Sequence, residues 1–103
     1  RLQAIQDSLY GAAVIPLQIA EKAAELFRFA EIVIEKGNKN AASDGAVAAL
    51  MARTTVRGAL YNVRINASSL KDPESKAELL KKADSLERRC IDAESQVLKQ
   101  VQL

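Results

Sequence analysis

Apolar residues recur along this chain at steps of three and four rather than two, so the pattern is helical from end to end. In the first segment, from about Leu2 to Lys36, Ile19, Ala23, Leu26, Ala30 and Val33 fall on one helical face. Ala20, Phe27 and Ile34 widen that stripe. Pro16 interrupts the pattern, because inside a helix it removes a hydrogen bond and crowds the preceding turn at a cost of ~3 kcal/mol. The spacing therefore predicts either a kink there or a second helix that Pro16 opens after Gly11. The run Gly37-Asn38-Lys39-Asn40 ends the segment with turn chemistry.

The second segment is expected to open with Ser43 as N-cap and Asp44 in the first turn, where a carboxylate suits the positive helix end. It should run to about Asn66–Ser69. Residues 46 to 52 are apolar almost all round, which predicts a buried, central helix. The third segment begins at Pro73, behind Asp72 as N-cap, and reaches about Val101. Leu79, Ala83, Leu86, Cys90, Ala93 and Val97 form one stripe at alternating steps of four and three, and many charges sit near i,i+4 spacing, as for a one-faced surface helix or half of a coiled coil. No alternation of strand type appears.

The fold class is thus all-α: a multihelical array of long antiparallel helices around a buried central helix. Three narrow stripes make a thin core, so further helices, a second copy, or both are expected to complete it, and a dimer is the expected form.

Composition narrows the function. With 103 residues there is room for one domain. Fifteen basic against thirteen acidic residues leave a charge of only +2, and Phe and Tyr total four, so neither a phosphate-binding surface nor base stacking is expected and nucleic acid is not a partner. No apolar run has the length to span a bilayer, so no membrane role is expected. The chain opens without a leader pattern and without Met. It is read as a piece of a longer or processed chain, cytoplasmic by default. There is no His, which removes the commonest general base and most transition-metal sites, and a single Cys allows no internal disulfide or zinc cluster.

The polar residues of the second helix carry the candidate chemistry. Arg53, Arg57 and Arg64 share a narrow stripe with Tyr61 beside it, while Asp44, Thr55, Asn62 and Asn66 lie on roughly the opposite side near small Ala48, Gly58 and Ala59. The arginines suit either carboxylates of a neighbouring helix or an anionic ligand. The asparagines suit either a helix–helix contact or a flat polar ligand. Ser43 and Asp44 can cap, and an Asp that caps can also act as acid or base. Tyr61 belongs to the core or its rim, or to a site. Cys90 sits in an apolar stripe and is read as structural. Without His or metal, an enzyme here would rely on a carboxylate, amides and Arg, which suits water addition to a carbon that is already electrophilic.

The order Gly37-Asn38-x-x-x-x-Ser43-Asp44, Val47-Ala48-Ala49, Gly58-Ala59-x-x-Asn62-Val63-x-Ile65-Asn66 and Leu70-Lys71-Asp72, with Val14-Ile15-Pro16-Leu17 upstream, resembles the cyclodeaminase/cyclohydrolase family of folate enzymes. The resemblance runs from the Pro16 helix through the last helix. It implies an all-α, homodimeric protein acting on the one-carbon unit held between N5 and N10 of tetrahydrofolate. Either a formimino group closes to a methenyl bridge with loss of ammonia, or water opens that bridge to the 10-formyl form. The folate is substrate, and no cofactor or metal is implied. Residues 1–103 would be the C-terminal part of one domain, since the family's Gly-rich, Ser-containing upstream stretch is not found here. Carried over by motif, Asp44 and Ser43 are the catalytic candidates, with Asp44 orienting or protonating the leaving nitrogen or water. Asn62 and Asn66 would hydrogen-bond the pterin or formyl oxygen. Arg53, Arg57 and Tyr61 are substrate-binding candidates from the residues alone, and Arg53, Arg57 and Arg64 are offered as partners of the substrate's carboxylates. The rival reading is a non-catalytic helical assembly module driven by the Leu79–Val97 stripe.

Overall fold

The computed structural model describes residues 1–37 and 39–102, which form α1 (Leu2–Lys36), α2 (Lys39–Ala67) and α3 (Pro73–Lys99). No strand occurs among the described residues. Consecutive helices run antiparallel. Asn66 near the end of α2 reaches Ala12 near the start of α1, while Gly45 early in α2 lies against Ala30 and Ile34 late in α1. Arg53 and Arg64 of α2 pair with Glu94 and Asp84 of α3. The result is a rod of 57 × 17 × 15 Å.

Alanines and one glycine let α1 and α2 approach closely. Ala13, Ala20, Ala23 and Ala30 face Ala42, Gly45, Ala49, Ala52 and Ala59, and larger side chains (Leu17, Phe27, Leu60, Leu79, Leu86) fill the seam with α3. At Gly45 a Cβ would come 2.5 Å from Ile34 Cγ1, so a side chain at this position requires Ile34 to move. Gly37 is similarly confined, by Ala41 and the Val33 carbonyl. Asn38 of the expected turn lies outside the described residues.

Of the two alternatives at Pro16, the second helix is excluded, because Pro16 lies inside one continuous α1. Two expectations are corrected. The buried face of α1 is Ala13, Leu17, Ala20, Ala23, Phe27 and Ala30, whereas Ile19 and Leu26 are exposed. α1 carries two adjacent apolar faces, and α2 and α3 pack on the one with the small residues. Finally, α2 lies between its neighbours but is not covered all round: Val47, Leu50, Met51, Tyr61 and Ile65 are exposed. The third stripe holds as read, with Leu79, Ala83, Leu86, Cys90 and Val97 buried and Ala93 half-buried.

The Pro16 discontinuity has a specific remedy. A proline cannot donate to the carbonyl four residues earlier, here Ala12. Asn66 Nδ2 donates to that carbonyl at 2.8 Å. At the same end, the Lys71 backbone N–H donates to Gln6 Oε1 at 2.8 Å. α3 starts as expected. Pro73 follows Asp72, whose carboxylate accepts from the backbone N–H and the hydroxyl of Ser75.

Candidate functional site

α2 begins at Lys39, so Ser43 and Asp44 sit in its second turn and Ser43 does not cap it. The turn after α1 tightens around Gly37, and the helix restarts before the capping sequence is reached. Both side chains are exposed. This leaves the Asp44 carboxylate open to a ligand rather than occupied at a helix end.

Asp44, Asn62 and Asn66 lie along the flank of α2 that borders α1, yet they are far apart. At a rise of about 1.5 Å per residue, Asp44 is about 27 Å from the level of Asn62 and about 33 Å from Asn66. One reacting carbon cannot touch both ends within a single chain. Asn62 is exposed, and Asn66 is half-buried with one amide hydrogen given to Ala12. Its oxygen and second hydrogen remain available.

The arginines occupy the opposite flank, toward α3. Arg64 is an ion-pair hub, 3.0 Å from Asp84 and 3.1 Å from Glu87. Burial draws the Arg64 pKa down, but the hydrogen bonds that the guanidinium donates to both carboxylates, with their negative charge, outweigh it and leave the pKa raised. Arg64 is thereby committed to structure. Arg57 and Arg53 are held more loosely, 3.9 Å from Glu87 and 3.6 Å from Glu94. With Phe27, Cys90 and Ile91 these four charged side chains line a narrow crevice. Glu94 Oε2 is buried there and accepts no hydrogen bond. The crevice can take a donor group, and Arg53 and Arg57 can turn outward to an anion. Tyr61 stands apart from both sets, 71% exposed on the open side of α2.

Cys90 is buried in the α3 stripe, and burial pushes its thiol pKa up, as suits a packing residue. No group of three or more His, Cys, Asp or Glu able to hold a metal occurs among the described residues, and none of their helices is long and apolar enough to cross a membrane. Sequence reasoning missed the carboxylates of α3. Their i,i+3 and i,i+7 placement at Asp84, Glu87 and Glu94 matches the arginine stripe and was the available signal.

Comparison with known proteins bears on this arrangement. The family described as formiminotransferase-cyclodeaminase matches residues 1–85. The match spans α1, α2 and the first half of α3 and contains every motif quoted above; it begins ahead of Pro16 and ends before the last half of α3. The methenyltetrahydrofolate cyclohydrolase of Methylorubrum extorquens is 41% identical over 86 residues, which is 84% of this chain and 41% of that protein. The formimidoyltransferase-cyclodeaminases of Sus scrofa and Rattus norvegicus are 36% and 34% identical over 86 residues, 84% of this chain and 16% of each protein. The chain therefore spans less than half the length of the relatives it matches.

Proposed function

Because the chain belongs to the formiminotransferase-cyclodeaminase family, we propose that it works in folate one-carbon metabolism, on the carbon bridging N5 and N10 of tetrahydrofolate. The observation that carries this reading is the 41% identity to a methenyltetrahydrofolate cyclohydrolase over 86 residues, 84% of this chain. Hydrolysis of the methenyl bridge is accordingly the first reading. Water adds to the bridging carbon and loses one proton, the carbon–N5 bond then breaks as the remaining hydroxyl proton is transferred to N5, and 10-formyltetrahydrofolate remains. Cyclodeamination is the second, favoured by the mammalian relatives. There N10 attacks the formimino carbon and ammonia leaves as the methenyl bridge closes.

Both reactions pass through a tetrahedral carbon beside a nitrogen that must gain or lose a proton. In this reading exposed Asp44, with Ser43 beside it, is the group that orients water or protonates the departing nitrogen. Asn62 and Asn66, at the far end of α2, would hydrogen-bond the pterin or the formyl oxygen of the same substrate only where another chain or the rest of a longer protein brings the two ends together. Arg53 and Arg57, the two loosely paired guanidiniums, meet the substrate's carboxylates. The folate is substrate, the chemistry calls for no cofactor or metal, and a cytoplasmic location goes with it. The relatives named above carry enzyme names, so the non-catalytic assembly module is not preferred.

The test is the absorbance of the methenyl chromophore. An accelerated fall with methenyltetrahydrofolate assigns the cyclohydrolase, and a protein-dependent rise with formiminotetrahydrofolate assigns the cyclodeaminase. Traces matching the uncatalysed drift in both would overturn the proposal and restore the assembly module.

A further inference from the structure

All three helices contribute to the crevice behind Arg53 and Arg57, on the flank of α2 away from Asp44, Asn62 and Asn66. Phe27 and Cys90, both buried, form its floor, and exposed Ile91 borders its mouth. The charges along it are ordered. Arg53 and Arg57 stand one turn apart on the α2 wall, and Glu87 and Glu94 face them from α3. The two signs cancel, yet neither pair closes to a hydrogen bond: Arg53 is 3.6 Å from Glu94 and Arg57 is 3.9 Å from Glu87. Glu87 is satisfied from elsewhere, by Arg64. Glu94 is not. Its Oε2 is buried and accepts from no donor, while Arg53 and Arg57 are 50% and 42% exposed and can swing outward. A buried carboxylate oxygen without a donor is rare, because it has given up water for nothing.

The space left within the crevice is about 10 Å³, room for one group the size of a water molecule. A water would bring Glu94 a hydrogen bond but no charge. An ammonium is of similar size and brings both. An ammonium alone would crowd the two guanidiniums, and a carboxylate alone that drew Arg53 outward would strip Glu94 of its counter-charge. A ligand with both groups on one carbon avoids either penalty. Its ammonium replaces Arg53 at Glu94, and its carboxylate follows the guanidiniums of Arg53 and Arg57, whose planar forks suit it. The crevice leaves no room for a side chain, which must lie at the mouth, where Ile91 offers apolar surface. We propose that this crevice binds a free aliphatic α-amino acid, with its ammonium inward on Glu94, its carboxylate outward on Arg53 and Arg57, and its side chain over Ile91. The site does not rest on the folate reading, and its α3 wall lies beyond the residues that the family matches. Where the folate reading also holds, amino acid and substrate compete for the same two arginines.

The test is an NMR titration of the isotope-labelled chain with L-leucine, following the Ile91 amide and the Nε–H signals of Arg53 and Arg57. These should shift together and saturate. N-acetyl-L-leucine keeps the carboxylate but not the ammonium, and L-leucinamide keeps the ammonium but not the carboxylate. Each should bind at least about tenfold more weakly than L-leucine. Glu94→Gln should cost L-leucine a similar factor with the helical circular dichroism unchanged. Ile91→Ala, at the exposed mouth, should weaken L-leucine and leave glycine binding as it was. Signals that stay still up to the solubility limit of L-leucine would overturn the proposal. So would N-acetyl-L-leucine binding as tightly as L-leucine, which would make the crevice a site for anions alone. Binding indifferent to both Glu94→Gln and Ile91→Ala, or a crystal grown with L-leucine that shows only a water on Glu94 Oε2, would do the same. Leucine binding without folate turnover leaves this site standing and removes the functional reading; turnover without leucine binding does the reverse.

Discussion

The side-chain amide of Asn66 donates to the backbone carbonyl of Ala12 at 2.8 Å, and Ala12 is the residue whose acceptor Pro16 leaves without a helical donor. A break in one helix is thus met by a polar side chain of the next, and the contact fixes the register of α1 on α2 at the end where Asn62 and Asn66 lie.

This predicts non-additivity. Asn66→Ala should cost about 0.5–1 kcal/mol in a urea titration, the range of one net hydrogen bond. In a Pro16→Ala background residue 16 donates to Ala12 itself, and Asn66→Ala should then cost close to nothing. Equal costs in both backgrounds would show that the two sites are not coupled.

Gly45→Ala should destabilise the chain by about 1–3 kcal/mol, the usual cost of overpacking, because the new Cβ would lie 2.5 Å from Ile34 Cγ1 and 3.1 Å from the Ala30 carbonyl. Trimming Ile34 to Ala in the same protein should recover part of the loss. Gly11→Ala, where a Cβ meets nothing, should instead raise the melting temperature slightly.

The α2–α3 ion pairs should be unequal. Arg64 contacts two carboxylates at hydrogen-bond distance, so Arg64→Met should cost about 1 kcal/mol at low salt and less at high salt. Arg53→Ala should cost about 1–2 kcal/mol despite the longer 3.6 Å pair, because Arg53 is half-exposed but Glu94 is 14% exposed and its buried Oε2 would lose its counter-charge. Arg53→Ala should act on folate affinity, read as a raised KM with kcat unchanged.

The Asp72 cap sets a pH dependence. Hydrogen bonds from the Ser75 side chain and backbone hold its carboxyl below the ordinary Asp value. A depressed carboxyl contributes stability above the unfolded-state pKa, and that contribution is lost as pH falls through the lowered folded value. The melting temperature of the native chain should fall on acidification below about pH 4. Asp72→Asn, which can still cap, should flatten that fall, whereas Asp72→Ala should lower stability at neutral pH.

Cys90 should react with thiol reagents only when the chain unfolds, since burial both shields it and raises its pKa. Labelling in water should therefore track the unfolded fraction along the urea curve. Rapid labelling of the native chain would place Cys90 at the surface.

Much of this protein is set by its linear order. Helix-forming composition, the break at Gly37, the cap at Asp72 and Pro73, and the stripe from Leu79 to Val97 are local facts, decided by propensity and periodicity within a few turns, and the structure repeats them. The family was legible too, because its motifs are short local strings, most of them on α2. Tertiary structure decided the rest. Which of two apolar faces of α1 is buried depended on where alanines and Gly45 let another backbone approach, so Ile19 and Leu26 ended outside. The carbonyl that Pro16 leaves without a helical donor is met by Asn66, fifty residues away. Whether the arginines serve a ligand or a neighbour depended on where α3 placed Asp84, Glu87 and Glu94. Periodicity tells which residues share a face, but what covers that face is settled only by the packing of distant segments.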